Sequence, residues 1–382
     1  MDFRVCDKQL NGLGEIDECA SVIWTIRYFS VGEVKILAPV TDNNKALLKV
    51  HNIVIKHDSY IDYTDADGQI WRRAAELTFV HITKDETGKE QIEARGYLLS
   101  YWLNQRVITP QLQLNDTIQH IVTALITKNV GSGAIAARQF PSFSLLTQAD
   151  LGGSVVNYSN EEYKALGDEV RDQCQSGKLG YDIFVNERAQ TFGFYLYAGR
   201  DLTSTGNTRP CIFAREFDNV LTQEFEDETE AIKDHAYVRG AADDNNVQMV
   251  TEVESAMFSD LTGLNRYETK IDATDISRTA EDASGTSTQI PDATYKQMLE
   301  TRGQTELAKL IETYVFNSSI KTIDSNLTYK VDYDLGDRVT CIDKKWNISI
   351  ESRITEITQT AENGKTALEV TFGESAPTLI AR

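Results

Sequence analysis

The stretch ELTFVHIT at residues 76–83, followed by KDETGK at 84–89 and QIEARGY at 91–97, decides the fold. Its first part is rich in apolar and β-branched residues, with Leu77 and Phe79 on one face of a strand. The polar segment with its glycine is a turn, so the stretch predicts two antiparallel strands joined by a hairpin. Similar short β-rich runs precede it, and this spacing predicts a barrel or sandwich over the first hundred residues.

The pattern then changes along the chain. Residues 108–212 mix helical spacing with strand-like runs, which predicts an α+β unit. Strand-like runs resume at 213–255 and again at 327–376, and a polar, partly helical stretch at 256–326 separates them. The sequence therefore predicts a mainly β protein with α+β insertions, in which 1–107 forms one β domain and the two later β segments form a second, split one.

Three helix starts are predicted from residues that can cap a helix. Asp116 precedes apolar residues at helical spacing, and Asn160 precedes a second such series. Asp292 precedes a third series in the insert. By contrast, residues 47–55 alternate imperfectly and predict a strand.

Charge limits the partners of the chain. There are 58 acidic and 38 basic residues, a net charge of −20. This balance argues against a surface that binds a DNA duplex by neutralising its phosphates. Residues 215–300 hold 20 acidic and 7 basic residues, and they include an acidic run that is either a solvated face or a surface that repels another polyanion. The run consists of Glu224, Glu226, Asp227, Glu228 and Glu230.

The sequence lacks the motifs of common catalytic and metal sites. It has no GxSxG, GxxxxGK[ST] or HExxH pattern, its five cysteines show no CxxC spacing, and its five histidines do not pair at i+4. We therefore expect a protein that is not an enzyme and has no cofactor or metal. The first residues carry no apolar signal-peptide core, and no apolar run has the length of a membrane span. We expect a chain made in a cytoplasm with reduced thiols.

Three segments carry motifs that occur together in one family. The first is GYLLSYWLNQRVI at 96–108, the second runs from FYLYAGRDLT at 194–203 to EFDN at 216–219, and the third begins with YDLGDRV at 333–339. In this order they resemble the tail-associated hub proteins of siphophages and prophages of Gram-positive hosts, which are similar to the baseplate hub proteins of contractile tails and tailocins. The motif residues are Gly96, Arg106, Gly199, Arg200, Asp201, Phe213, Asn219, Tyr333, Gly336, Asp337, Arg353 and Gly373.

The resemblance implies an architecture and a function. Two tail-tube-like antiparallel β-barrels would lie side by side, with an intermediate α+β domain and a partly helical insert. Three copies would form a ring of six barrels that joins the sixfold tail tube to the tail tip and lines the DNA exit path. The partners would be further copies of the chain, the distal tube protein, and a fibre, spike or receptor-binding module, while phage DNA passes without specific binding. The acidic run is then a candidate for the lumen, and the site of action is the virion.

The motif residues also have plain structural explanations. The glycines at 199 and 336 would permit tight turns, and the arginines at 106 and 353 would pair with acids. Two other functions stay open from the residues alone. A cell-wall hydrolase would need an acidic site within 256–326, because few residues follow Phe372 and Gly373. A carbohydrate-binding adhesin would need exposed aromatic residues, but the four tryptophans are scattered and are expected to pack in the core.

Overall fold

The computed structural model describes most of the chain. Strand residues outnumber helical residues more than two to one, which confirms the mainly β prediction. The described residues are 2–57, 61–146, 149–161, 163–205, 209–228, 232–243, 245–255, 261–281, 287–310, 313–320, 326–362 and 364–373.

The first hundred residues form eight strands and one short helix. The hairpin predicted at 76–97 is confirmed, with Phe79 opposite Arg95 in its register. The elements are β1 (Asp2–Cys6), β2 (Gly12–Glu15), β3 (Ser21–Arg27), β4 (Glu33–Pro39), α1 (Asp42–Leu47), β5 (Ile53–His57), β6 (Tyr63–Thr64), β7 (Ile70–Lys84) and β8 (Glu90–Leu98).

The strand predicted at 47–55 is wrong over most of its length. Helix α1 ends at Leu47, and β5 begins only at Ile53. Thr41 caps the helix, since its Oγ1 accepts from the backbone N–H of Asn44 at 3.0 Å. His51 then takes a left-handed backbone conformation with φ of 74°, which breaks a strand at this point.

The middle of the chain mixes helices and strands, as predicted. Its elements are a 3₁₀ helix (Leu99–Gln105), β9 (Gln113–Asp116), α2 (Ile118–Asn129), a 3₁₀ turn (Ala136–Arg138), β10 (Phe143–Leu145), β11 (Val156–Ser159), α3 (Leu166–Ser176), β12 (Gly180–Asn186), β13 (Thr191–Tyr197), β14 (Ile212–Ala214) and a 3₁₀ turn (Arg215–Phe217).

Two of the predicted helix caps in this region are wrong. Thr117, and not Asp116, is the N-cap of α2, while Asp116 accepts from the backbone N–H of Thr117 at 2.8 Å. Asn160 lies six residues before the start of α3 at Leu166. Its side-chain oxygen instead accepts from the N–H of Leu112 at 2.8 Å, so it holds a loop in place.

The last part of the chain contains ten strands and the longest helix described. That helix begins at Asp292, but its N-cap is Pro291, so the predicted cap at Asp292 is wrong by one residue. The elements are β15 (Val220–Glu228), β16 (His235–Ala242), β17 (Gln248–Glu254), a 3₁₀ turn (Gly263–Asn265), β18 (Glu268–Ala273), β19 (Thr279–Glu281), β20 (Ser287–Gln289), α4 (Asp292–Leu307), β21 (Thr313–Ile320), β22 (Arg338–Asp343), β23 (Ile348–Glu362) and β24 (Lys365–Phe372).

Eight strands form one continuous antiparallel ladder in the order β7, β8, β4, β3, β23, β24, β21, β15. Four come from residues 1–107 and four from residues after 213. The halves meet where β3 pairs with β23, and there the hydroxyls of Thr25 and Thr358 lie 3.0 Å apart. Because side chains alternate along a strand, β3, β4, β8, β23 and β24 bury one face in the core and direct the opposite face, the solvent face, outward.

Three large clusters of buried apolar residues fill the structure. The first lies under the ladder and draws on both ends of the chain, and the second draws mainly on residues 99–196. The third lies between α4 and the small sheet of β16, β17 and β18. Three of the four tryptophans are buried as expected, but Trp346 is 46% exposed.

Sheet membership differs from the predicted division in the last part of the chain. β16 and β17, which fall within 213–255, pair with β18 and not with the ladder. β21, which falls within 256–326, is the seventh strand of the ladder. The reason is that strand propensity identifies a strand but carries no information on its distant partner.

Candidate functional site

Two motif segments that lie far apart in the sequence meet beside the ladder. Residues 199–202, which follow β13, run parallel to residues 336–339, which lead into β22. The backbone N–H of Arg338 donates to the carbonyl of Arg200 at 2.8 Å, and the Arg338 guanidinium pairs with Asp201 at 3.1 Å. We call this contact, made by residues 199–202 and 333–339, the junction.

The junction needs glycine at two positions. A Cβ at position 199 would lie 1.7 Å from the carbonyl oxygen of Gly336, so no other residue fits against this backbone. Gly336 has a φ of 93°, and a Cβ there would lie 2.2 Å from the ring of Tyr28. Both glycines therefore allow a close approach of two backbones and one buried aromatic ring.

The carboxylate of Asp337 holds the junction together. It is nearly fully buried and accepts from the backbone N–H of Arg200 at 2.7 Å, from the Arg200 Nη2 at 2.7 Å and from the N–H of Asp334 at 2.8 Å. Its hydrogen bond to the half-exposed Arg200 guanidinium raises the pKa of that arginine. One carboxylate thus satisfies donors from both segments.

Arg353 and Tyr28 connect the junction to the ladder. The Arg353 Nη1 donates to the carbonyl of Gly336 at 2.6 Å, and its guanidinium carbon lies 5.1 Å from the centre of the Tyr28 ring. The Tyr28 hydroxyl donates to the carbonyl of Lys178 at 2.9 Å. The N–H of Gly373, at the end of β24, donates to the carbonyl of Arg353 at 2.8 Å. Three distant parts of the chain therefore meet here.

Phe213, Asn219 and Tyr333 lie on the buried side of the same region. The Phe213 ring is 5.1 Å from that of Tyr333, in edge-to-face geometry. The side-chain oxygen of Asn219 accepts from the N–H of Ala214 at 3.0 Å, and its amide donates to the carbonyl of Ile212 at 2.9 Å. Asn219 thereby fixes the turn that leads from β14 into β15.

The structure does not bring Gly96 and Arg106 to the junction. Gly96 lies in β8, where a Cβ would come within 2.1 Å of the carbonyl oxygen of Glu76. Arg106 ends the 3₁₀ helix at 99–105, with its guanidinium carbon 5.2 Å from the centre of the Phe140 ring. These two residues shape the first β region and its link to the middle of the chain.

Sequence reasoning missed a second buried cluster, which lies around Arg73. Its guanidinium pairs with Asp62 and with Asp182, each at 2.8 Å, and all three side chains are buried. Lys330 lies 3.7 Å from Asp62. Burial alone would raise the pKa of Asp62, but the charges of Arg73 and Lys330 lower it to about 2. No local pattern marks these residues, because each partner comes from a different part of the chain.

The acidic run lies at one end of the ladder. Glu224 is in β15 and exposed, in register with Asn317 of β21. Glu226, Asp227 and Glu228 follow it in the same strand. Glu230 lies outside the described residues.

The described residues contain no group of three or more His, Cys, Asp or Glu side chains that could hold a metal ion. None of the helices in these residues is long and apolar enough to cross a membrane. All five cysteines are free, and four of them are buried.

Three solved phage or bacterial tail proteins have a similar fold. The tail protein from Neisseria meningitidis MC58 superposes with a TM-score of 0.55 at 13% identity, covering 97% of this chain and 96% of that one. The prophage tail protein gp18 from Listeria monocytogenes EGD-e gives 0.52 at 12% identity, covering 98% and 95%. The 43 kDa tail protein of prophage MuSo2 from Shewanella oneidensis gives 0.53 at 10% identity, covering 97% and 98%. The fold is therefore the one found in phage and prophage tail proteins.

The sequence itself places the chain in a family. Residues 2–374 match the model described as Siphovirus ReqiPepy6 Gp37-like protein. The chain belongs to this family of siphovirus tail proteins and is a component of the virion. A search of curated proteins finds no match. The predicted class, a phage tail protein, is confirmed.

Proposed function

We propose that this tail protein is the hub at the distal end of the tail tube, a homotrimeric ring that joins the sixfold tube to the tail tip and lines the DNA exit path. The observation that carries the proposal is the eight-strand ladder, because it has two open edges. Within the described residues, 78–84 of β7 pair only with β8, and β15 pairs only with β21. Such edges tend to pair with another chain.

The direction of the strands suits a ring. All seven pairings in the ladder are antiparallel, so β7 and β15 run in opposite directions. The β15 edge of one copy can therefore pair with the β7 edge of the next without breaking the alternation. Head-to-tail contacts of this kind close into rings when the rotation between copies allows it.

The composition of the ladder suits a change from sixfold to threefold symmetry. Each copy contributes four strands from 1–107 and four from residues after 213. Three copies then present six four-stranded units to a sixfold tube. In this proposal the two units belong to two tube-like barrels. The first is 1–107, and the second is the expected 213–255 with 327–376, without β16 and β17 and with β21 added. Residues 108–212 form the intermediate domain, and the rest of 256–326 forms the insert.

The size of such a ring suits duplex DNA. Three ladders give about 24 strands, and at about 4.8 Å per strand the circumference is about 115 Å for strands along the ring axis. The backbone diameter is then about 37 Å, and side chains of about 5 Å on each side leave about 27 Å. A B-form duplex is about 20 Å across. Two copies under the same assumption leave only about 14 Å, so three is the smallest number that passes a duplex.

The proposed ring also has a defined channel wall and defined neighbours in the tail. The exposed face of the ladder lines the channel, and the part of the acidic run in β15, Glu224 to Glu228, lies at its edge, where it repels phosphates. The tube protein binds above the ring, and a fibre, spike or receptor-binding module binds below it. This role at the tail tip requires no catalysis and no cofactor.

Charged residues at the two edges provide the test. Ile82 on β7 and Leu221 on β15 are 52% and 56% exposed apolar side chains. Ile82→Lys or Leu221→Lys places a charge in the proposed interface and should leave a monomer by light scattering. Ile135→Lys is the matched control, because Ile135 is 70% exposed and lies outside the ladder. If the wild type is trimeric and both edge variants stay trimeric, the proposed interface is wrong.

A further inference from the structure

Among the described residues, the solvent face of the ladder contains four lysine and arginine side chains, which lie among polar neighbours. They are Arg27, Lys35, Arg95 and Lys365. The strand registers place Phe79, Arg95, Lys35, Ile23 and Thr360 in one row across five strands. The neighbouring rows contain threonine, serine and carboxylate side chains, together with Leu37, His81 and Tyr97.

Arg27 is held between two carboxylates on this face. Its Nη2 lies 2.6 Å from Glu33 on β4, and its Nε lies 2.6 Å from Glu356 on β23. A third donor, Nη1, reaches the carbonyl of Val31 at 3.0 Å. Three N–H donors of this guanidinium therefore already have acceptors within the protein, and its side chain is only 16% exposed.

Lys35 and Arg95 share one carboxylate. Lys35 lies 3.6 Å from Glu93, and Arg95 binds the same side chain. Burial alone would raise the pKa of Glu93, but the hydrogen bond from Arg95 and the charge of Lys35 lower it. The fourth cation, Lys365, is directly opposite Glu362 in the register of β23 and β24.

Cations that already have a partner attract phosphate only weakly. A free lysine or arginine gains affinity for DNA by releasing the counterions condensed on the phosphates. A cation neutralised by a neighbouring carboxylate must first break that pair, so much of this gain is lost. Acidic residues elsewhere in the chain cannot keep DNA from this face in the same way, because salt screens charges beyond about 8–10 Å.

We propose that Glu33, Glu93 and Glu356 keep the ladder face from binding duplex DNA by occupying its cations. The inference rests on the proposed function, since it takes this face to be the wall of the DNA channel. The three carboxylates are masking residues. Their loss exposes three cations per copy, and a surface that was inert to DNA becomes adhesive.

The test is a gain of binding in a triple variant, Glu33→Gln with Glu93→Gln and Glu356→Gln. Fluorescence anisotropy with a labelled linear duplex of about 30 base pairs measures binding. The wild type should show none at 50 mM salt, and the triple variant should bind. If three phosphates are contacted, its affinity should fall about 40-fold between 50 and 200 mM salt.

Two controls separate masking from simple loss of negative charge. A second triple variant, Glu18→Gln with Asp67→Asn and Glu216→Gln, removes the same charge from exposed positions outside the eight strands and should not bind. Adding Arg27→Met, Lys35→Met and Arg95→Met to the first variant removes all three exposed cations and should abolish its binding.

Equal DNA binding by the wild type and the first variant, or no binding by that variant, overturns the inference. Binding by the second triple variant as strong as by the first overturns it as well. Light scattering on the same samples reports ring formation separately. A chain that stays monomeric, while its first variant binds DNA, refutes the ring and supports the masking.

Discussion

Replacing Asp337 by alanine should destabilise the junction more than any other single loss of a charge there. The substitution leaves the backbone N–H groups of Arg200 and Asp334 without their acceptor, at about 1–3 kcal/mol each when buried. The Arg200 guanidinium is about half exposed, so its own ion pair adds less than about 1 kcal/mol. We expect Asp337→Ala to lower the free energy of unfolding by about 2–6 kcal/mol.

Urea denaturation of the Asp337 variant and of Arg200→Met measures this difference. Arg200→Met removes only the exposed side-chain pair and leaves both backbone hydrogen bonds, so it should cost less than about 1 kcal/mol. Unchanged m-values would show that the unfolded state is the same. The reasoning is refuted if the two variants are equally destabilised, because the carboxylate would then act only through the guanidinium.

Two further predictions concern acid stability and backbone shape. The pKa of Asp62 is about 2 in the folded chain and near 4 when unfolded, so its stabilisation, about 2 kcal/mol, is complete above pH 4 and is lost as the pH falls toward 2. Asp62→Asn should make the free energy of unfolding depend less steeply on pH between pH 4 and pH 2. If the pH dependence is unchanged, groups other than Asp62 cause it. Gly336→Ala should lower the melting temperature far more than Gly88→Ala: both glycines have positive φ, but only at 336 would a Cβ meet the Tyr28 ring. Equal shifts in thermal unfolding would mean that backbone strain alone, and not the close approach, makes glycine necessary.

Local features of the fold could be predicted from the sequence, but long-range pairing could not. The hairpin at 76–97 follows from alternation and one turn, both of which are local. The pairing of Thr25 with Thr358 spans 333 residues, and no pattern in either strand specifies the other. The same limit explains why the pairing of β16 with β17 and β18 could not be predicted.

At the candidate site, too, the motif residues could be predicted from the sequence but their contacts could not. The motif residues Gly199, Arg200, Gly336 and Asp337 stand out in the sequence, and the structure brings them together. Their hydrogen bonds could not be predicted, because these depend on two loops that approach to backbone contact. The buried Arg73 cluster and the paired cations of the ladder face carry no sequence signal, since an arginine looks the same in a sequence whether its charge is free or occupied.

The central claim is that three copies close one ladder into a channel. Light scattering over a concentration series, with negative-stain images of the same sample, tests it most directly. We expect particles of three times the 42.8 kDa chain mass, each a threefold ring with a central hole of about 27 Å. A closed particle with a different number of copies, or a hole too narrow for a duplex, would contradict it.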